Sequence, residues 1–466
     1  MTDSTSLAQA SKEVDQLLAD WNRSDCPGAA VLVTLGGDVV HRGGYGCAQL
    51  EYDIPITPST IFHVASVSKQ FTALAVAMLA DEGRISIDDD IRDYFPEMVD
   101  FGPTITIRHM AHHASGLRDQ WELLRLAGWR MDDVITTEHI MKMVRRQREL
   151  NFHPGDEHLY CNTGYTLMAE LVARVTGMSF RDYTHSRIFA PLGMESTHFH
   201  CDHQEIVRNR AYSYSPRHGG GFRKSVLNYA NAGATSLFTT VEDLARWLLN
   251  FDSEEVGGRE VMRQMHQRLV LNDGRTIPYA FGLAFSEHRG ARLIGHSGAD
   301  AGFRSYCGRF PDFGLGIAVL SNLSTFNPQV TALEIAGIYL EDRLEEEEKP
   351  TFDDPPGEAG LRACEGTYLL GPLGFIEIER EADHLVLRRA GAPTSSLIPE
   401  GDLRFRADPG KQVIEFDRDP GSRISSLSML GPGHTMTADR FEPRSLGREQ
   451  LADFCGDYYS QELGTA

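Results

Sequence analysis

Apolar and polar positions change their spacing several times along the chain, and each change marks an element. Leu7 to Trp21 places apolar residues three and four apart and predicts a helix. Ala29 to Thr34 is a nearly unbroken apolar run. Gly36-Gly37 supplies a turn and Val39 to Arg42 follows, which together predict a β-hairpin. The next stretch is largely helical. Its clearest helices are Ser66 to Glu82, stopped by Gly83, then Gly164 to Val175, stopped by Gly177, and Val241 to Asn250 behind an N-cap at Thr240. Strand patterns return at Arg292 to Gly295, Phe303 to Phe310 and Leu315 to Ser321, before a closing helix from Pro328 to Leu344. The sum is an α/β (α+β) domain over 1–344. Its antiparallel sheet is built from both ends of the segment and flanked by terminal helices, with a helical region inserted between. A cleft where insert and sheet meet is the natural place for a site.

The acidic, proline-containing tract 345–358 breaks this pattern and predicts a linker. Beyond it, over 359–445, the texture changes to short strands with turns: Phe375 to Arg380, His384 to Arg389, Val413 to Arg418 and Ile424 to Leu430. That is a small all-β unit. Its opening, Glu365-Gly366-Thr367-Tyr368, is echoed by Cys455-Gly456-Asp457-Tyr458-Tyr459, so 446–466 reads as the start of a second, truncated β module.

Composition narrows the function. The 466 residues are 41% hydrophobic and 24% charged, the balance of a globular protein rather than a disordered or fibrous one. Forty-five basic against 66 acidic residues leave a net charge of −21, which repels nucleic-acid phosphates and anionic lipid. No apolar run reaches the roughly 18 residues of a membrane span. Met1 to Asp20 lacks the basic start and apolar block of a secretory signal. The seven cysteines show no paired spacing, so reduced thiols and a cytoplasmic location are expected. Nothing here speaks to oligomeric state, and a homo-oligomer stays open.

Lysine is scarce, with only six in the chain, and one of them stands in Ser66-Val67-Ser68-Lys69 at the start of an apolar helix. Positions i and i+3 share a helix face. A partly desolvated amine near a helix N-terminus has its pKa lowered and can accept the serine proton, so one turn supplies nucleophile and base. A second pair, Tyr160 and Asn162, projects to one side of the chain before the next helix. The phenol can pass protons and the amide can bind a substrate carbonyl and the lysine. Third comes Gly295-His296-Ser297-Gly298, read as a turn at a strand end. Its glycines admit a ligand backbone, and the Ala299 amide could pair with that of Ser66 as an oxyanion hole. Arg304 could orient a substrate carbonyl or carboxylate. The clusters His198, His200, Cys201, His203 and His109, His112, His113 lack a convincing ligand spacing, so neither metal nor other cofactor is expected.

Ser-x-x-Lys, Tyr-x-Asn and a late His-x-Gly in this order resemble the penicillin-recognising serine hydrolases, in the class C β-lactamase-like branch. The resemblance covers residues 7 to 344. It extends to Ser115-Gly116-Leu117, to Ile188-Phe189-Ala190-Pro191-Leu192-Gly193-Met194, and to Gly302-Phe303-Arg304 with Leu320-Ser321-Asn322. Ser66 to Thr72, Ser115 to Asp119 and Tyr160 to Asn162 are most similar to the bacterial D-aminopeptidases of that branch, which carry small β-barrel domains after a β-lactamase/transpeptidase-like catalytic domain. The resemblance implies an acyl-enzyme on Ser66, proton handling by Lys69, Tyr160 and His296, and substrate contacts from Asn162, Gly298, Ala299 and Arg304. It implies a small peptide, amide or ester substrate. His296 departs from the lysine that β-lactamases and transpeptidases carry in the third motif. A histidine anchors a β-lactam carboxylate less well, which moves the expectation from penicillin to amide hydrolysis. A carboxylesterase or weak β-lactamase using the same residues, and an idle binding protein on this scaffold, remain the rivals.

Overall fold

A computed structural model describes residues 4–217, 219–346, 356–370, 374–381, 384–389, 394–408, 412–431 and 434–465. Of the expected linker, 347–355 lie outside the described residues. The chain divides into two compact units, Met1–Glu345 together with Tyr459–Ala466, and Glu346–Tyr458.

The first unit is organised by a six-stranded antiparallel sheet. Its strands are β1 (Ala29–Leu35), β2 (Asp38–Tyr45), β3 (Ala284–His288), β4 (Ala291–Asp300), β5 (Phe303–Phe310) and β6 (Leu315–Ser321), in spatial order β3-β4-β5-β6-β1-β2. β1 pairs with β6 from Ala29↔Ser321 to Leu35↔Leu315, so early and late segments of the unit meet inside the sheet as the sequence pattern implies. Both faces of β1 are buried, which explains why its sequence is an apolar run rather than an alternation. Val31 and Val33 face a core shared with Val14 of α1 (Ser4–Leu17) and Ile335 of α2 (Pro328–Leu340). Ala30 and Leu32 face the larger core beneath the inserted helices.

Two inserted helices frame the site. The helix Ser68–Asp81 is preceded by a 3-10 turn, Ala65–Val67, and twelve of its residues, Ser68 through Leu79, are buried. A helix enclosed on all sides carries little amphipathic signal. Phe71 packs on Phe189 and Trp247, with ring centroids 5.5 and 4.7 Å away. The second helix, Asn162–Thr176, ends at Gly177, whose φ of 73° is the left-handed conformation glycine adopts without penalty. The expected N-cap at Thr240 is present, its hydroxyl accepting from Asp243 N at 3.1 Å ahead of the helix Val241–Ser253.

The second unit contains a closed eight-stranded antiparallel barrel. It includes the four strands expected from sequence and four more, Gly366–Leu369, Ser395–Pro399, Arg404–Asp408 and His434–Phe441. Tyr368, Ile376, Ile378, Leu385, Phe405, Ile414, Phe416 and Leu427 form its buried core. Side chains fill a barrel of this strand number. Over 446–466 the chain forms a helical turn, Arg448–Ala452, and an isolated bridge between Ser460 and Thr465. Among the described residues no helix is long and apolar enough to cross a membrane.

Candidate active site

Ser66 sits in the 3-10 turn, directly after Ala65, whose φ of 46° is unusual for a residue with a side chain. Strained backbone of this kind holds a side chain out of the regular helix path. One turn later Lys69, fully buried, reaches back with Nζ 2.9 Å from Ser66 Oγ. The same Nζ lies 2.8 Å from Asn162 Oδ1, 2.8 Å from the Ala234 carbonyl and 4.8 Å from the Tyr160 ring centre. Burial lowers the amine to about 7 against the opposing pull of Asp300 and Asp119. A neutral amine has two hydrogens and one lone pair. Asn162 and Ala234 present fixed acceptors for the hydrogens, which turns the lone pair toward the Ser66 hydroxyl. The arrangement can take the serine proton as the oxygen attacks.

Tyr160 arrives from the loop before the second helix, and Asn162 is the first residue of that helix. His113 organises that loop. Its Nδ1 accepts from Cys161 N at 3.0 Å, and its ring lies 4.1 Å from that of Tyr160. Asp119 Oδ2 accepts from the Asn162 backbone N at 2.6 Å and from Nδ2 at 2.8 Å, so the amide orientation that offers Oδ1 to Lys69 is enforced. An amide nitrogen carries two hydrogens, and Asp119 takes one. Arg118, beside Asp119, is paired with Glu462 at 2.8 Å. Tyr160 is 39% exposed as a residue, yet loss of solvent around its hydroxyl holds the phenol well above 10 despite the opposing contact with Ser66. It is therefore a protonated acid at rest, suited to give a proton to a leaving nitrogen.

The third motif is placed differently from the expectation. His296, Ser297 and Gly298 lie inside β4, which runs on to Asp300, and not in a turn. The reason is pairing: His296↔Cys307 and Gly298↔Ser305 continue the β5 ladder unbroken. His296 Nδ1 is 2.6 Å from the Ser297 carbonyl, which marks Nδ1 as the protonated nitrogen. Nε2 accepts from the Tyr279 hydroxyl at 2.9 Å, whereas the Tyr160 ring centre is 6.1 Å from the imidazole. Burial, aided by the charge of Lys69, drives His296 to about 3. It is neutral throughout the working range. His296 therefore contributes no limb to the pH-rate profile, and Lys69 is the group expected to supply one. With an ester lacking titratable groups, kcat/KM should fall about tenfold per pH unit below about 7 and level off above it. A pH-rate series from 5 to 9 checks this.

Gly298 permits the closest approach in the site. A Cβ there would collide with the Val64 carbonyl and Ser305 Oγ and would lie 3.0 Å from Ser66 N. β4 thus runs against the Ser66 turn, bringing the Ala299 and Ser66 amides into one neighbourhood. Gly298→Ala must push these apart. It should reduce kcat/KM by about 10²-fold, the scale of losing an oxyanion-hole donor, as steady-state kinetics would show. Arg304 Nη1 donates to the carbonyls of Ala301 at 3.1 Å and Phe303 at 2.7 Å, bracing the β4–β5 turn.

His113, Asp119, Tyr279 and Asp300 were not identified from sequence. Asp119 was within a matched motif, but nothing in its spacing announced the bond to Asn162. His113 and Tyr279 meet the site only through tertiary packing. The cluster His198, His200 and Glu205 brings one ligand atom of each within 4.8 Å, but Glu205 is already engaged by Arg181, whose second bond to it is 2.8 Å.

Comparison with known proteins gives the family of this sheet-and-helix scaffold. The chain belongs to the beta-lactamase family, whose pattern covers residues 11–338, and is a serine hydrolase of that family. It is similar to a D-aminopeptidase of Gluconobacter oxydans, 28% identical over 94% of this chain and 81% of the relative. A D-aminopeptidase of Brucella anthropi is 30% identical over 94% of this chain and 79% of the relative. In structure it resembles the octameric penicillin-binding protein homologue from Pyrococcus abyssi, with TM-score 0.65 and 24% identity over 92% of this chain and 99% of that one.

Proposed function

We propose that this protein hydrolyses amide bonds of small peptides or amino-acid amides through an acyl-enzyme on Ser66, with a preference for D-residues like that named for its relatives. The observation that carries the reading is the Lys69 amine, held by Asn162 and Ala234 with its remaining valence toward Ser66. Ser66 Oγ forms a bond to the substrate carbonyl carbon as Lys69 takes its proton. The oxyanion rests against the Ser66 and Ala299 amides. The C–N bond breaks as Tyr160 protonates the leaving nitrogen, and the phenol regains a proton through Lys69. Water then attacks the ester, releasing the acid and free Ser66. Neutral His296 favours amides over penicillins, because it offers no fixed cation to a β-lactam carboxylate.

The seven cysteines, all free thiols and five of them buried, support a reducing, cytoplasmic setting. The octameric relative supports a homo-oligomer.

D-alanyl and L-alanyl anilides, a nitrophenyl ester and a chromogenic cephalosporin, assayed side by side, test the proposal. Highest kcat/KM on the D-anilide supports it. Activity on the ester alone would establish an esterase instead, and cephalosporin as the best substrate would restore the β-lactamase reading.

A further inference from the structure

We propose that Asp300 is the anchor for the protonated α-amino group of the substrate, so that the enzyme selects amides and peptides with an unblocked amino end; this rests on the amide-hydrolase reading above.

Asp300 is the last residue of β4 and, two positions beyond Gly298, shares the strand face that abuts Ser66. Its Oδ2 accepts a hydrogen bond from Thr235 Oγ1, and Thr235 directly follows Ala234, whose carbonyl holds Lys69 Nζ. One short segment therefore fixes both the amine that activates Ser66 and the acid beside it. The acid also adjoins Ala299, which with Ser66 is the candidate oxyanion-hole residue. In an α-amino acyl substrate the nitrogen lies only about 2.5 Å from the carbonyl carbon under attack, as bond lengths near 1.5 Å and a tetrahedral angle require. A cation so close to the reacting carbon needs a counter-charge next to the oxyanion hole.

Among the described residues none is bonded to Asp300 as a counter-ion, although Lys69, Arg304 and Arg125 stand near enough to favour its charged form. Its side chain is only 17% exposed, and the His63 imidazole stands beside it with Nε2 at 3.9 Å. Burial keeps that imidazole neutral, with its pKa driven down to about 3. Arg304, on the neighbouring strand, spends Nη1 on the turn carbonyls of Ala301 and Phe303. Among the described residues no lysine or arginine forms an ion pair with Asp300. Lys69 must be uncharged to act as base. A largely buried carboxylate with a single hydroxyl partner is costly to hold and is relieved by an ammonium ion. Burial raises Asp300 only to about 6, so it is mainly ionised where Lys69 is competent.

The test compares D-alanine p-nitroanilide with its N-acetyl derivative on wild type and Asp300→Asn. Wild type should favour the free amine, and the ratio of the two kcat/KM values should collapse by about 10- to 100-fold in the variant, chiefly through KM. A proportional loss on both substrates would overturn the proposal, because it would mean that Asp300 acts only through Lys69. An unchanged ratio would overturn it equally. Inhibition of nitrophenyl-ester hydrolysis by D-alaninamide against N-acetyl-D-alaninamide gives a readout in wild type that does not depend on the variant folding. Tighter inhibition by the free amine supports the anchor, and equal inhibition contradicts it. Failure of wild type to cleave any anilide would count against the amide-hydrolase reading, while the inhibition experiment would still decide the role of Asp300.

Discussion

Replacing Ser66 by Ala is expected to lower kcat/KM by about 10⁴-fold or more, the scale seen when a covalent nucleophile is removed and only binding and oxyanion stabilisation remain. The effect should be large because no neighbouring group can substitute. Ser68, the other hydroxyl in the turn, is buried and directed at the Ala65 carbonyl 2.5 Å away, while it accepts from Leu237 N at 3.1 Å. Folding should be nearly unaffected, since an alanine gives up only the polar contacts of the hydroxyl with Lys69 and Tyr160. Steady-state kinetics with a matched thermal melt checks both parts. A loss of less than tenfold with the melt intact would show that another group makes the covalent bond.

Lys69→Arg and Lys69→Ala should both lower turnover by at least about 10²-fold, and the arginine variant should not recover activity. An arginine cannot give up its proton at any working pH, so it supplies the positive charge without the lone pair. If Lys69 served only as a cation, arginine would restore much of the rate. Lys69 is fully buried against Asn162, Ala234 and two tyrosine rings, so each variant has to be shown folded by melting before its rate is read. The pH-rate curve of any residual activity should also lose its limb near 7.

Most of the framework was legible because its signals are local. The unbroken β1 run, the β6 strand pattern and the Gly177 stop each depend on a few adjacent residues, and the structure has all three. Ser66 and Lys69 were legible for the same reason, being one helical turn apart. Tyr160, Asn162 and His296 could be named only because three short motifs occur in a set order; their separations in sequence say nothing of the distances that join them. What remained hidden depends on long-range packing. The Tyr279 bond to His296 and the Asp119 bond to Asn162 arise where separate loops converge. The extension of β4 through His296 was missed because two glycines and a serine imitate a turn, whereas the β5 partner strand keeps them extended. Half of the barrel strands escaped for a related reason: strands as short as Gly366–Leu369 carry too few alternations to stand out from a turn-rich background.

The account depends on a serine activated by an uncharged lysine, and covalent trapping tests that directly. A fluorophosphonate should inactivate the protein by forming one adduct, located by peptide mass spectrometry on Ser66, at a rate that rises as pH passes through about 7 and Lys69 gives up its proton. An adduct on a different residue, or continued substrate turnover with Ser66 unmodified at saturating reagent, would contradict it.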